Sequence, residues 1–321
     1  MKPFAFVFPG QGSQSVGMLD AWGDHPVVLE VLKEASDALG EDIGKLIHDG
    51  PKETLALTTN TQPVMLVAAL AAHRVWMSET GAAPTAVAGH SLGEYSALVA
   101  AGVLTLSQAA PLVRLRAQAM QEAVPVGVGA MAAIMGMEAA KVVAGCVAVT
   151  AQFGDGSVEV VEAVNFNDPT QTVIAGSKAA VETACHELKA AGAKRALVLP
   201  VSAPFHSSLM KPAAEKLKNR LMSLTLAAPE IPLVNNVDVA VEVEADRIRD
   251  ALYRQAFGPV RWVECVRALK ARGLTLVVEC GPGRVLTGLV KRIDPELSAL
   301  ALLDPTSLAD VKNELVGANH G

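Results

Sequence analysis

The sequence predicts an α/β protein of two lobes, with a small β-α-β-β-α-β unit inserted into a larger lobe. Three observations carry this expectation. The 321 residues are 51% hydrophobic and only 4% aromatic, the composition of a compact chain long enough to bury a sizeable core. Up to Pro125, short apolar runs that end in glycine or proline alternate with segments of helical period. From Gly129 to Ser202 the order of patterns changes, and it returns to longer helical segments afterwards.

Taken in order, Phe4 to Phe8 is an apolar run broken by Pro9-Gly10, which reads as a buried strand feeding a loop at its carboxyl end. Helical spacing follows over Val27 to Leu39 and Pro63 to Met77. Thr85 to Ala88 is a second strand before Gly89, and Leu92 to Ala101 is a helix closed by Gly102. A further helix spans about Ser107 to Ala123. The inserted unit then reads as strand Ala130 to Met135, helix Glu138 to Cys146, strands Val158 to Asn165 and Thr172 to Ala175, helix Lys178 to Ala191 and strand Arg195 to Leu199. That order is ferredoxin-like. It divides the chain into a large domain of residues 1–128 and 203–321 and an inserted subdomain of residues 129–202. Beyond it come helix Lys211 to Ser223, strand Leu233 to Asn235, helices Ala245 to Gln255 and Val263 to Arg272, and a late strand Leu274 to Val278. The last dozen residues read as a frayed tail.

Composition excludes several classes of function. A net charge of −6 opposes general nucleic-acid binding, which needs a basic surface. The longest apolar runs, such as Val64 to Ala72, fall short of the roughly 20 residues that span a bilayer, so no membrane partner is expected. Met1 to Phe8 has neither a basic start nor a cleavage site. Cys146, Cys185, Cys265 and Cys280 lie far apart without C-x-x-C or metal-ligand spacing, so they read as reduced thiols of a cytoplasmic protein with no metal.

The chemistry is carried by Gly89-His90-Ser91-Leu92-Gly93, a G-x-S-x-G between a strand and a helix. In a nucleophile elbow the small residues make room for neighbouring backbone, and the helix start favours developing negative charge. A glycine-rich turn with a capping serine has the same letters. Serine at its ordinary pKa is a poor nucleophile and needs a base within hydrogen-bond reach. Of seven histidines, His73 and His186 fall in helices, His320 in the tail, His25 and His48 in polar loops, and His90 in the elbow itself. His206, just past the strand Arg195 to Leu199, is left as the candidate base; a loop histidine without a role fits the same position.

Gly10-Gln11-Gly12-Ser13-Gln14 lacks the lysine of a Walker loop and the third glycine of G-x-G-x-x-G. It suits either a plain turn or a backbone that offers N–H donors to an oxyanion. Arg114 and Arg116, two residues apart, face nearly opposite sides of their helix, and Arg116 lies on the stripe with Leu112, Val113, Ala119 and Met120. An arginine reaching along the helix to solvent also fits.

Together with Val113-Arg114-Leu115-Arg116, Ala203-Pro204-Phe205-His206, Asn165 to Gly176, Val234-Asn235-Asn236 and Gln255 to Trp262, these motifs resemble the malonyl-CoA:acyl carrier protein transacylases of fatty acid synthesis over nearly the whole chain. The resemblance implies an α/β-hydrolase-like large domain with a ferredoxin-like insertion, and a Ser91/His206 dyad without an acidic third member. Gln255 occupies the position whose backbone carbonyl orients the imidazole. The resemblance also implies an oxyanion hole from the N–H groups of Gln11 and Leu92, Arg116 as partner of the malonyl carboxylate, and Phe205 as a malonyl-selective feature. Malonyl-CoA and acyl carrier protein are the implied partners; the coenzyme A thioester is a substrate, and no cofactor is implied. Two departures are a long segment from Ala148 to Glu162 and Pro111 early in its helix. A serine hydrolase or thioesterase, a carrier-binding scaffold with a dead site, and a transferase serving polyketide synthesis remain alternatives.

Overall fold

The computed structural model describes residues 2–154, 156–201 and 203–316. In chain order the elements are β1 (Phe4–Phe8), α1 (Pro26–Leu39), α2 (Ile43–Asp49), α3 (Lys52–Leu55), α4 (Thr58–Thr80), β2 (Ala86–Gly89), α5 (Gly93–Ala100) and α6 (Leu106–Ala123). Then come β3 (Gly129–Met135), α7 (Ala139–Gln152), β4 (Val161–Asp168), β5 (Gln171–Ser177), α8 (Lys178–Ala190) and β6 (Arg195–Val198). The chain continues through α9 (Lys211–Met222), β7 (Leu233–Val234), α10 (Ala245–Gln255), α11 (Trp262–Ala271), β8 (Leu276–Cys280), α12 (Val285–Ile293), β9 (Ser298–Leu302) and α13 (Pro305–Val316).

The result is a mixed α/β fold with two sheets. One is parallel, in the order β7-β2-β1-β8-β9; the other is antiparallel, in the order β4-β5-β3-β6. Strand alternation explains how the parallel sheet is covered on both faces. Phe4, Phe6 and Phe8 point into one core with Trp76 of α4, whereas Ala5 and Val7 point into the other, with Trp262 of α11 and Leu289 of α12. Helix α4 is apolar on every side because it lies inside the first core.

Helix α4 begins at Thr58, five residues before Pro63, where the sequence suggested a start. Proline has no N–H for the carbonyl four residues earlier, so Thr59 loses its helical partner. Arg114 supplies it, with Nη1 donating to the Thr59 carbonyl at 2.6 Å alongside a bond to Asn60 Oδ1 at 2.7 Å. Arg114 is therefore tied to α4 and paired with Glu41 rather than free on the solvent side.

Other differences have equally local causes. The strand expected at Leu274 to Val278 runs instead from Leu276 through the buried Glu279 to Cys280. The charge of Glu279 breaks the apolar pattern, but its Oε2 accepts from the N–H and hydroxyl of Thr287 at the start of α12. The strand expected at Val158 to Asn165 is shifted to Val161–Asp168 and carries two register irregularities against β5. Helix α7 runs on to Gln152. The expected frayed tail is helix α13 as far as Val316, with Val311 and Leu315 buried and Glu314 paired to Lys2; residues 317–321, with His320, lie outside the described residues. Of the two histidines expected in polar loops, His25 caps α1 from just outside it, whereas His48 belongs to α2 and pairs with Asp20.

The two sheets are joined at β4. Phe166 N–H donates to the Val260 carbonyl at 2.9 Å, and Val260 N–H donates to the Val164 carbonyl at 2.8 Å. Glu162 accepts from the Ser208 N–H at 2.6 Å, and Asp168 pairs with Arg292 of α12 at 2.7 Å. The carboxyl ends of β1 and β2 open beside this seam, the place where open parallel sheets bind ligands.

Candidate active site

Ser91 stands between β2 and α5 with φ of 53°, a left-handed backbone that is strained for any residue with a side chain. The surrounding glycines make this turn possible. A Cβ on Gly89 would lie 1.9 Å from the Gly93 carbonyl carbon, and one on Gly93 would lie 2.0 Å from the Phe8 carbonyl oxygen. Strand, turn and helix are therefore in backbone contact, and there is no soft side chain to yield. Gly93→Ala is expected to destabilise the fold by ~3 kcal/mol or more, the upper range of overpacking, because only backbone can move. Thermal denaturation against Ser96→Ala checks this; equal melting temperatures would contradict the packing argument.

Asn236 braces the same turn. Its Oδ1 accepts from the Ser91 N–H at 2.8 Å and its Nδ2 donates to the Gly89 carbonyl at 2.7 Å. Ser91 Oγ lies 2.6 Å from Nε2 of His206, and Nδ1 of His206 lies 2.8 Å from the Gln255 carbonyl oxygen. A carbonyl only accepts, so Nδ1 carries the proton and Nε2 presents its lone pair to Ser91. Burial, and next the charge of Arg116, push the His206 pKa down to about 3, so the imidazole is neutral.

Arg116 is buried on α6, over the ring of Tyr95 at 5.4 Å. Its Nη1 donates to Gln62 Oε1 at 2.7 Å, and Nη2 donates to Ser91 Oγ and Gln255 Oε1 at 3.2 Å each. All these partners are neutral. Among the described residues no carboxylate lies within ion-pair distance of the guanidinium, and its buried Nε has no acceptor. A desolvated cation without an anion is costly.

Ser91, His206, Arg116, Gln11, Leu92 and Phe205 all line one cavity of about 130 Å³, with Gln62, Met120 and His90. Gln255 lies behind it. A neighbouring cavity of about 190 Å³ shares Gln11, His90, Asn165 and Leu199 and reaches α12. His90 turns away from Ser91, with Nε2 at 2.8 Å from Asn167 Oδ1 and its ring against Trp262. The side chain of Gln11 bonds Thr58. Sequence reasoning left Gln62, Tyr95, Glu94 and Asn236 without a role. Their signal was polarity in apolar company: Gln62 precedes the apolar run of α4, and Glu94 and Tyr95 directly follow the elbow.

A strained serine facing the lone pair of a buried neutral imidazole, beside an unpaired cation, can take up an acyl group as an ester and pass it on. This chemistry belongs to the α/β enzymes that work through a serine. A family model described as "Acyl transferase domain" matches residues 5–299. The malonyl CoA-acyl carrier protein transacylase of Escherichia coli (strain K12) is 53% identical over 310 residues, covering 96% of this chain and 98% of that protein. Its counterpart in Bacillus subtilis (strain 168) is 43% identical, with 96% of each covered. Among solved structures, the acyl-carrier-protein S-malonyltransferase from Burkholderia pseudomallei 1710b is 61% identical with a TM-score of 0.93, covering 97% of this chain and 99% of that one. A malonyl-transacylase in complex with a type II polyketide synthase acyl-carrier protein is 50% identical with a TM-score of 0.94, covering 98% of this chain and 100% of that one. The chain belongs to the acyl transferase family, among the malonyl CoA-acyl carrier protein transacylases, and is an acyltransferase.

Proposed function

We propose that this enzyme moves a malonyl group from malonyl-CoA to the phosphopantetheine thiol of acyl carrier protein through an ester on Ser91, in fatty acid synthesis. The observation that carries the reading is the buried Arg116, without an anionic partner and 3.2 Å from Ser91 Oγ. A free carboxylate on the acyl group satisfies it; a plain acyl chain does not.

In this reading His206 takes the Ser91 proton as Oγ attacks the thioester carbonyl, and the N–H groups of Gln11 and Leu92 hold the oxyanion. The proton passes to the leaving coenzyme A sulfur. In the second half-reaction His206 removes the proton of the carrier thiol, which attacks the ester and restores Ser91. Gln255 orients the base through its carbonyl, and Phe205 closes the acyl pocket. Donor and product are both thioesters, so we take the exchange to need no cofactor or metal. We further read the fold as an α/β-hydrolase-like domain, residues 1–128 and 203–321, with a ferredoxin-like insertion at residues 129–202. That reading is supported by the two sheets and by the β3-α7-β4-β5-α8-β6 order; Ser202, at the boundary, lies outside the described residues. Four unpaired cysteines support a reducing, cytoplasmic setting.

Incubation with malonyl-CoA followed by peptide mass spectrometry tests the reading. The expected result is a malonyl ester on the Ser91 peptide that persists until carrier protein is added. Rapid release of free malonate would make the enzyme a hydrolase, and no adduct would make the site a dead scaffold.

A further inference from the structure

Hydrogen bonds lead from Arg116 through Gln255 to a buried carboxyl group. Gln255 Oε1 accepts from Arg116, and Gln255 Nε2 donates to Glu94 Oε2 at 3.0 Å and to the Ser91 carbonyl at 3.0 Å. Glu94, the second residue of α5, is 2% exposed, and its Oε2 also accepts from the Asn236 N–H at 2.9 Å. No lysine or arginine touches this carboxyl group among the described residues, and one neutral amide separates it from the buried cation of Arg116.

We propose that Glu94 is a specificity-determining positioning residue: a counter-charge held one side chain away from Arg116 by Gln255. A directly paired carboxylate would occupy the guanidinium and exclude the substrate. With no carboxylate at all, Arg116 would be a bare cation in a dry pocket. At one residue's remove, Glu94 offsets the charge, and its pull on Gln255 turns the amide oxygen toward Arg116, whose other partners, Gln62 and Ser91, are also neutral and whose Nε has no acceptor. Glu94 and the malonyl carboxylate thus compete for one cation, and each weakens the hold of the other. The inference rests on the malonyl reading above.

Competition between two anions has a protonic signature. The titratable and charged groups facing Glu94 are Arg116 from α6, Tyr95 beside it on α5, Asp238 after β7, and Cys265 from α11. Burial pushes the Glu94 carboxyl up to about 7, whereas Tyr95 at about 12 and His206 at about 3 are far from titrating at that pH, and burial raises Cys265 out of reach. A malonyl carboxylate on Arg116 raises Glu94 further, so malonylation near neutral pH takes up a fraction of a proton. The acyl exchange contributes none, because the Ser91 proton ends on the coenzyme A thiol.

Glu94→Gln keeps an oxygen for Asn236 and Gln255 and removes only the charge. The measurement is the steady-state KM for malonyl-CoA and for acetyl-CoA, with carrier protein as acceptor. The malonyl KM is expected to fall ~3- to 10-fold, as follows from removing a like charge in a medium of intermediate dielectric, with the acetyl KM changing far less. An unchanged or raised malonyl KM, or equal shifts for both donors, would overturn the role of Glu94 while leaving malonyl transfer established. Calorimetric titration of the wild-type enzyme with malonyl-CoA, in buffers of different ionisation enthalpy, gives a second test that needs no variant to fold. Proton uptake with malonyl-CoA and none with acetyl-CoA is expected. Absence of uptake, or the same uptake in Glu94→Gln, would also overturn the proposal.

Discussion

Ser91→Ala is expected to lower malonyl transfer by roughly 10⁴-fold or more while leaving the fold intact, because the hydroxyl that faces the base is the atom that carries the acyl ester. The hydroxyl oxygen lies 2.6 Å from Nε2 of His206. Alanine preserves the small side chain and accepts the same backbone, since the turn is held by Asn236 bonds to the Ser91 N–H and the Gly89 carbonyl. Circular dichroism and melting temperature check the fold; initial rates and the mass of the protein after exposure to malonyl-CoA check the chemistry. A folded Ser91→Ala protein that still transfers malonate would exclude the covalent route.

Arg116→Ala is expected to change the donor preference by at least ~100-fold. An acetyl group leaves the buried guanidinium without an anion, and an unpaired buried charge costs roughly 3–5 kcal/mol, where about 1.4 kcal/mol is a factor of ten. Malonyl transfer should fall sharply. Acetyl transfer should hold or rise, because Arg116 donates to Ser91 Oγ at 3.2 Å, a bond that draws electron density from the nucleophile. The same charge depresses the basicity of His206, second only to burial. Arg116→Lys keeps a cation without the planar fork and should fall between the two. The quantity to compare is the ratio of malonyl to acetyl kcat/KM; an unchanged ratio would send the search for the carboxylate partner to another residue.

Much of this site is legible in the sequence because its parts obey local rules. The elbow is written in consecutive residues, strand β1 is a plain apolar run stopped by Pro9-Gly10, and helices α1, α6 and α10 follow helical periodicity. What could not be read depends on distant partners. Pro63 looked like a helix start because the sequence cannot say that Arg114, 55 residues from Thr59, completes the turn. Glu279 looked like the end of a strand because Thr287 satisfies it only after α12 folds back. Glu94 reads as an ordinary acid at a helix start until Asn236 and Gln255 bury it. Elements β9, α12 and α13 went unread because their short segments gain their register from the sheet edge they cover.

The seam at β4 carries a lesson for anyone recombining such enzymes. Met131 and Leu199 of the antiparallel half and Gln62 and Arg116 of the parallel half wall the same cavity, and Val164, Phe166 and Val260 stitch those halves together. The acyl chamber is thus owned by neither half. A chimera that exchanges residues 129–201 between relatives transplants half a wall, and its substrate preference will follow the graft only when the matching stitch at 260 and the latch at 208 and 292 travel with it.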